Sequence, residues 1–160
     1  MTGDERASCP CSDEIRNLAD AKAVTADAKT RFYSAEHDEI RCGLTTDIYF
    51  VRTREILDKL GLAKTSVVAE IFSRKPGVLA GVDEVLHLLK DKQVKIWAVP
   101  EGEEFDPKEV IMRIEGSYDE FGMLETTILG FLASSSGWAT AARAAKEAAG
   151  DKTVICFGAR

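Results

Sequence analysis

The chain has 160 residues, and its 45% hydrophobic and 30% charged residues are typical of a globular chain, not a disordered one. A net charge of −6 argues against general nucleic-acid binding, because an acidic surface repels phosphate at long range. No apolar run approaches the roughly 20 residues that span a bilayer, and the first residues lack the apolar core of a secretory signal. These properties predict a cytoplasmic protein that binds neither nucleic acid nor membrane.

Most of the chain shows helical or alternating spacing of apolar residues between glycine and proline stops. Residues 1–33 lack such a period and predict a loose arm. The patterns that follow predict, in chain order, a helix over Ala35–Cys42 capped by Ser34, a helix over Asp47–Leu60 ended by Gly61, a strand over Val67–Phe72, a helix over Val82–Leu89, a strand over Val94–Val99, a charged loop over Glu101–Lys108 and a strand over Val110–Glu115.

The stretch after Gly116 predicts long helices, with an apolar stripe at positions 121, 124, 128 and 132. Gly130, Gly137 and the serines between them predict a kink or a division into two helices. The alanine-rich residues 139–149 predict further helix that ends at Gly150.

The final apolar run, Thr153–Phe157, predicts a strand buried on both faces, as in a parallel sheet. No parallel partner for it is evident, and a buried strand without a partner would leave its backbone groups unsatisfied. We therefore expect a truncated chain of the α/β (α+β) class.

Three polar clusters are candidate sites, and each has an alternative structural explanation. Arg160 follows the predicted last strand, where its guanidinium suits a carboxylate or phosphate, unless it is only a solvated residue in a turn. Tyr49 offers a ring for stacking, unless the cluster Thr45–Tyr49 serves capping and core packing. The segment Ser134–Thr140 suits an anion, or alternatively close helix packing. Cys9, Cys11, Cys42, Cys156, His37 and His87 lack the spacing of a metal site, which predicts reduced, unliganded thiols.

Six blocks occur in an order that is more specific than any single motif: RFYSAEHDEI, GLTTDIYFVRTREIL, VVAEIFSRKPGVLAGVDEVLHLL, KIWAVPEGEEFDPKEVIMRIEGSYDEFG, ETTILGFLASSSGWATAAR and CFGAR. Together they resemble the start of a nicotinate phosphoribosyltransferase of the short bacterial and archaeal type, over roughly residues 31–160. The block ETTILGFLASSSGWAT also resembles the corresponding helix of quinolinate phosphoribosyltransferases, which share the fold.

The resemblance implies a variable arm over residues 1–30, an α/β sandwich domain of a type II phosphoribosyltransferase over 31–116, and linking helices with the first strand of an incomplete α/β barrel over 117–160. It implies that the whole enzyme joins nicotinate to phosphoribosyl pyrophosphate in NAD salvage, with ATP hydrolysis and Mg²⁺, as a homodimer. The basic and metal-binding groups would lie on later barrel strands, so the chain would be inactive alone.

The resemblance also implies site residues. Tyr49 matches the tyrosine of a T-D-x-Y motif beside the nicotinate ring, and Arg160 matches the arginine of F-G-x-R in the same pocket. Thr46 and Asp47 belong to the first motif, and Thr140 is a further candidate near the pocket. No catalytic or metal-binding residue is assigned within the chain.

Two other functions stay open at this point. A quinolinate-type phosphoribosyltransferase would need extra basic residues for a second carboxylate, and no such cluster surrounds Arg160 in the sequence. A non-catalytic interaction or dimerisation module is the other alternative.

Overall fold

The computed structural model describes residues 15–23 and 35–157. Its elements, in chain order, are α1 Leu18–Ala23, α2 His37–Arg41, α3 Ile48–Leu60, β1 Ser66–Phe72, β2 Gly77–Val78, α4 Val82–Leu89, β3 Val94–Ala98, β4 Glu104–Phe105, β5 Val110–Ser117, α5 Tyr118–Phe121, a 3-10 turn Gly122–Leu124 and α6 Glu125–Ala149. This mixture of helix and sheet confirms the predicted α/β class, and the described residues form no closed barrel.

The helices begin and end largely where the sequence predicts, because the local stop signals are strong. Helix α3 follows Asp47 and ends at Gly61, which takes the left-handed conformation (φ 68°) that favours glycine. Helix α2 is shorter than predicted. It begins after Glu36, whose N–H donates to the Glu39 carboxylate (2.9 Å), whereas the predicted cap Ser34 lies outside the described residues.

Part of the predicted loose arm is helical, so that prediction is wrong for α1. The Asn17 side chain starts α1 by accepting hydrogen bonds from the N–H groups of Ala19 (2.8 Å) and Asp20 (3.1 Å). The buried Ile15 holds the segment against Phe50 in a core cluster. A single apolar anchor three residues before a short helix does not produce a visible period in the sequence.

The three main strands form one sheet in the order β1-β5-β3. Hydrogen bonds from Tyr118 N to Thr65 O (3.0 Å) and from Lys108 N to Ser73 O (2.7 Å) lie at opposite ends of the β1–β5 pair, so these strands run antiparallel. The short strands β2 and β4 pair antiparallel in a second sheet. The charged segment predicted as a loop over Glu101–Lys108 therefore contains a strand.

The chain folds into two compact units. Among the described residues, the first comprises 15–23, 35–67, 91–94 and 116–128, and its core includes Ile15, Phe50, Val51 and Met123. The second comprises the described residues 68–90, 95–115 and 129–157. Its most deeply buried side chains include Leu79, Val85, Met112 and Ile114, each worth roughly 1.5–3 kcal/mol of transfer free energy.

Helix α6 runs without interruption from Glu125 to Ala149, so the predicted kink or division is wrong. Gly130 and Gly137 are exposed, and a Cβ atom at either position would meet no heavy atom within 4 Å. A glycine inside a helix costs about 1 kcal/mol, which does not end a helix whose opposite face is anchored. Ile128, Leu132 and Ser136 supply that buried face.

The predicted last strand is absent, because Thr153–Phe157 has no regular structure and is exposed. Phe157 is 93% and Ile155 72% exposed. No strand in residues 35–157 pairs with this segment, so its backbone groups have no ladder to join. Among the described helices none is both long enough and apolar enough to cross a membrane.

Candidate functional site

Polar side chains of the first unit converge where α3 and α6 begin. The Asp47 N–H, just before α3, donates to Thr126 Oγ1 (3.2 Å), and the Thr126 hydroxyl lies 3.4 Å from Asp47 Oδ2. The hydroxyls of Thr45 and Thr127 lie 3.1 Å apart. These contacts join segments about 80 residues apart in sequence and bring Asp47 close to the first turn of α6.

Tyr49 lies in the first turn of α3 and presents an aromatic surface. Its ring centroid is 4.1 Å from that of Phe50, which is buried in the core of this unit. The residue Tyr49 as a whole is 55% exposed. Its backbone carbonyl accepts a hydrogen bond from the Thr53 hydroxyl (2.8 Å). The ring is thus anchored at its base and open to solvent, which suits stacking on a planar ligand.

The electrostatics of the cluster are acidic. Partial removal from solvent raises the pKa of Glu125, and the nearby Asp47 carboxylate raises it further. The pKa of the Tyr49 phenol is raised by partial desolvation and then by Asp47 and Glu125. The pKa of Tyr118 is also raised, first by desolvation and then by Glu125 and Tyr49. The two phenols are therefore neutral hydrogen-bonding groups near neutral pH, beside two carboxyl groups.

The structure brings three of the predicted site residues, Thr46, Asp47 and Tyr49, to the start of α3. The Thr46 hydroxyl oxygen is buried and has no hydrogen-bond partner among the described residues. An unsatisfied hydroxyl is costly to bury, which makes it a candidate ligand contact. Arg160 lies outside the described residues.

Sequence reasoning missed four residues of the cluster, Tyr118, Glu125, Thr126 and Thr127. Glu125, Thr126 and Thr127 form a run ahead of an apolar helical stripe, which marks a helix start with polar side chains. Tyr118 lies outside that run. That signal gives no hint of a distant partner.

Thr140 belongs to the second unit, where its hydroxyl serves internal bonds. It accepts from the Val78 N–H (2.9 Å) and donates to the Ser136 carbonyl (2.7 Å). The Ser136 hydroxyl bonds both backbone groups of Ala80, at 3.1 and 3.2 Å. Two hydroxyls of the predicted Ser134–Thr140 cluster, those of Ser136 and Thr140, thus tie α6 to the segment before α4.

Thr140 also lines an open groove of about 370 Å³ in this unit. Four carboxylates line it as well, those of Glu104, Asp106, Glu109 and Glu147. Its arginine, Arg143, already donates to Glu104 Oε1 and to the Gly102 carbonyl, both at 2.7 Å. This acidic lining disfavours a phosphate ligand. Within residues 15–23 and 35–157 no group of three or more metal-binding side chains is placed to hold a metal ion.

The fold and the site define a mixed α/β domain with an acidic, aromatic surface patch at two helix starts. A family model described as the N-terminal domain of quinolinate phosphoribosyl transferase matches residues 47–136. The chain belongs to this family. The matched region begins at Asp47 and contains Tyr49, Tyr118 and Glu125.

The proteins similar to this chain include two nicotinate-nucleotide pyrophosphorylases. The crystal structure of nicotinate-nucleotide pyrophosphorylase from Pyrococcus furiosus is 45% identical, with a TM-score of 0.76 over 81% of this chain and 34% of that one. A probable carboxylating nicotinate-nucleotide pyrophosphorylase of Methanothermobacter thermautotrophicus is 31% identical over 110 residues, 66% of this chain and 38% of that protein. The human nicotinic acid phosphoribosyltransferase structure has a TM-score of 0.66 at 19% identity over 72% of this chain and 31% of that one, which shows a shared fold only.

The comparisons correct the sequence-based identification. The resemblance to nicotinate phosphoribosyltransferase gave the correct broad class, an enzyme family that transfers phosphoribosyl groups, but the wrong member. The family match and the carboxylating relative support the quinolinate alternative instead. Coupled ATP hydrolysis was implied only by the nicotinate assignment and is withdrawn with it. Mg²⁺ and the homodimer stay predictions.

Proposed function

We propose that this chain is the N-terminal domain of a quinolinate phosphoribosyltransferase. The enzyme would join the pyridine nitrogen of quinolinate to the ribose C1 of phosphoribosyl pyrophosphate and release pyrophosphate. The carboxylate next to the ring nitrogen then leaves as CO₂, and the ring carbon that carried it takes up a proton, which gives nicotinate mononucleotide. The observation that carries the proposal is the family match over residues 47–136, which encloses most of the cluster around Tyr49.

The chain spans 38% of the length of its curated relative and 34% of the Pyrococcus furiosus structure, so it supplies only part of such an enzyme. In the proposal Tyr49 stacks on the pyridine ring, with the unpartnered Thr46 hydroxyl nearby. Asp47 and Glu125 repel the substrate carboxylates, which therefore point away from them. Arg160 is our candidate for pairing with one carboxylate, because its fork matches that group.

The test is an assay of the complete protein that contains this chain. Quinolinate labelled in the carboxylate next to the ring nitrogen should release labelled CO₂, dependent on phosphoribosyl pyrophosphate and independent of ATP. Nicotinate in place of quinolinate is the control and should give no nucleotide. Efficient use of nicotinate with ATP, and none of quinolinate, would refute the proposal.

A further inference from the structure

The first turn of α3 carries Tyr49, and the residue before the helix, Asp47, is bonded to it through its backbone carbonyl, which accepts from the Phe50 N–H (3.0 Å). Asp47 is the N-cap residue, yet its side chain makes no capping hydrogen bond to its own helix. Its N–H donates instead to Thr126 Oγ1 at 3.2 Å, and its carboxylate faces the same hydroxyl at 3.4 Å. The start of α3 is thus held from α6.

A second contact reinforces this link. The Thr45 and Thr127 hydroxyls lie 3.1 Å apart, two residues before Asp47 and one residue after Thr126. A threonine side chain in a helix adopts mainly two χ1 rotamers, so its hydroxyl can point in only a few directions. Two such contacts on successive residues of α6 restrict both the translation and the rotation of segment 45–47.

We propose that Thr126 is a positioning residue for the substrate contact Tyr49. It fixes Asp47, and through Asp47 it fixes the direction in which the Tyr49 ring leaves the first turn of α3. This inference rests on the proposed function only for the identity of the ligand, the pyridine ring of quinolinate. Thr126 itself does not touch the ligand.

Removal of the Thr126 hydroxyl should change the position of Tyr49 more than the stability of the fold. The Asp47 N–H lies at an exposed helix start, so water replaces the Thr126 hydroxyl at little cost when it is removed. Stacking on a flat ligand is more sensitive, because two aromatic rings attract each other well only in offset-stacked or edge-to-face arrangements. Loss of the hydroxyl should therefore affect recognition of the ring before it affects folding.

The first experiment follows the Tyr49 ring directly in the 160-residue chain, with tyrosine labelled by ¹³C at the ring. Thr126→Val removes the hydroxyl at nearly constant volume. We expect the Tyr49 signals to shift and its phenol pKa to fall, because Asp47, one cause of the raised pKa, moves away. Thr126→Ser should restore the wild-type signals, and Thr153→Val, at an exposed residue outside the cluster, should leave them unchanged.

The second experiment measures kinetics in the complete enzyme. For Thr126→Val we expect the KM for quinolinate to rise about tenfold with kcat nearly unchanged, as loss of uniform substrate binding requires. The KM for phosphoribosyl pyrophosphate should stay at the wild-type value. If Thr126→Val folds poorly, Thr126→Ala provides a second variant for both measurements.

The outcomes separate this inference from the proposed function. Unchanged Tyr49 signals in Thr126→Val would overturn the positioning role, whatever the substrate is. Shifted signals with an unchanged KM for quinolinate would overturn it too, since Tyr49 would move without consequence. If Thr126→Val shifts the Tyr49 signals but the wild-type enzyme uses nicotinate and not quinolinate, only the proposed function is refuted. The link from Thr126 to Tyr49 then stands.

Discussion

At the scale of single residues, the acidic pair Asp47 and Glu125 controls the electrostatics around Tyr49. Asp47→Asn removes one charge and keeps a good helix-capping residue. We expect the pKa of Glu125 to fall but to stay above the ordinary value, because partial desolvation is the larger cause of its shift. The pKa of Tyr49 should fall in the same variant. Carboxyl and ring ¹³C titrations check both shifts. An unchanged pKa of Glu125 would contradict the proximity of Asp47 and Glu125.

The raised pKa of Glu125 also predicts a dependence of stability on pH. The folded chain binds this proton more tightly than the unfolded chain does, so the contribution is fully present below the ordinary pKa of 4.5 and is lost as the pH rises through the raised value. Glu125→Gln mimics the protonated acid. Its stability relative to wild type should therefore increase between pH 4.5 and 7 by less than about 1 kcal/mol, because the exposed group is screened by solvent. Urea unfolding at several pH values tests the sign, and a decrease would refute it.

Sequence reasoning found one half of the site at this scale. Thr46, Asp47 and Tyr49 lie together at a recognisable helix start, but the family resemblance, not the local pattern, made them candidate ligand contacts, and that role stays a prediction. Glu125 and Thr126 become site residues only because folding brings them beside Asp47, 79 residues away from Thr126. A single sequence does not show that residues so far apart along the chain are in contact in the fold.

At the scale of elements, the Ser136 hydroxyl joins α6 to the backbone before α4. Ser136 is 7% exposed and bonds both the N–H and the carbonyl of Ala80. Ser136→Ala should cost about 1–3 kcal/mol of unfolding free energy, because two polar groups lose their partner. The exposed Ser134→Ala is the matched control and should change stability by less than about 0.5 kcal/mol. Equal effects of the two substitutions in urea unfolding would count against this role.

Replacement of a glycine in α6 should stabilise the chain, in contrast to Ser136→Ala. Gly137 lies in helical conformation with open space where a Cβ would stand. Gly137→Ala should therefore stabilise the chain by about 0.5–1 kcal/mol, from helix propensity and reduced freedom of the unfolded chain. Gly81→Ala is the contrasting variant. Its φ of 91° and a Cβ only 2.8 Å from the Phe131 carbonyl oxygen should make it destabilising. A destabilising Gly137→Ala would show that this face of α6 is covered in solution.

The elements that sequence predicted correctly carry their own signals, and the others depend on partners. Helix α3 is preceded by a residue type common at helix starts, has a periodic face and is followed by a glycine, so the sequence shows its limits. Strand β4 is two residues long and charged, and it exists only because β2 pairs with it. Helix α6 stays continuous because packing on one face outweighs the propensity cost of its glycines. Tertiary context decides the outcome for β4 and for α6.

At the scale of the whole molecule, exposed apolar side chains remain on the second unit. Trp138 on α6 is 75% exposed, and Ile155 and Phe157 after it are 72% and 93% exposed. The chain covers 38% of its curated relative, so in a longer protein further residues are available to cover such surfaces. Single exposed apolar residues are common, but several large ones in an unstructured segment promote association.

We therefore expect the isolated 160-residue chain to self-associate as its concentration rises. Sedimentation velocity over a wide concentration range should show a growing weight-average mass, and Trp138 emission should shift to shorter wavelength if its ring becomes covered. Ile155→Ser combined with Phe157→Ser should lower the mass at each concentration, because serine removes the apolar surface that drives association. Lys152→Ser, at an exposed charged residue of the same segment, is the matched control and should leave the mass unchanged. A wild-type chain that stays monomeric throughout the range would show that the exposed segment does not drive association.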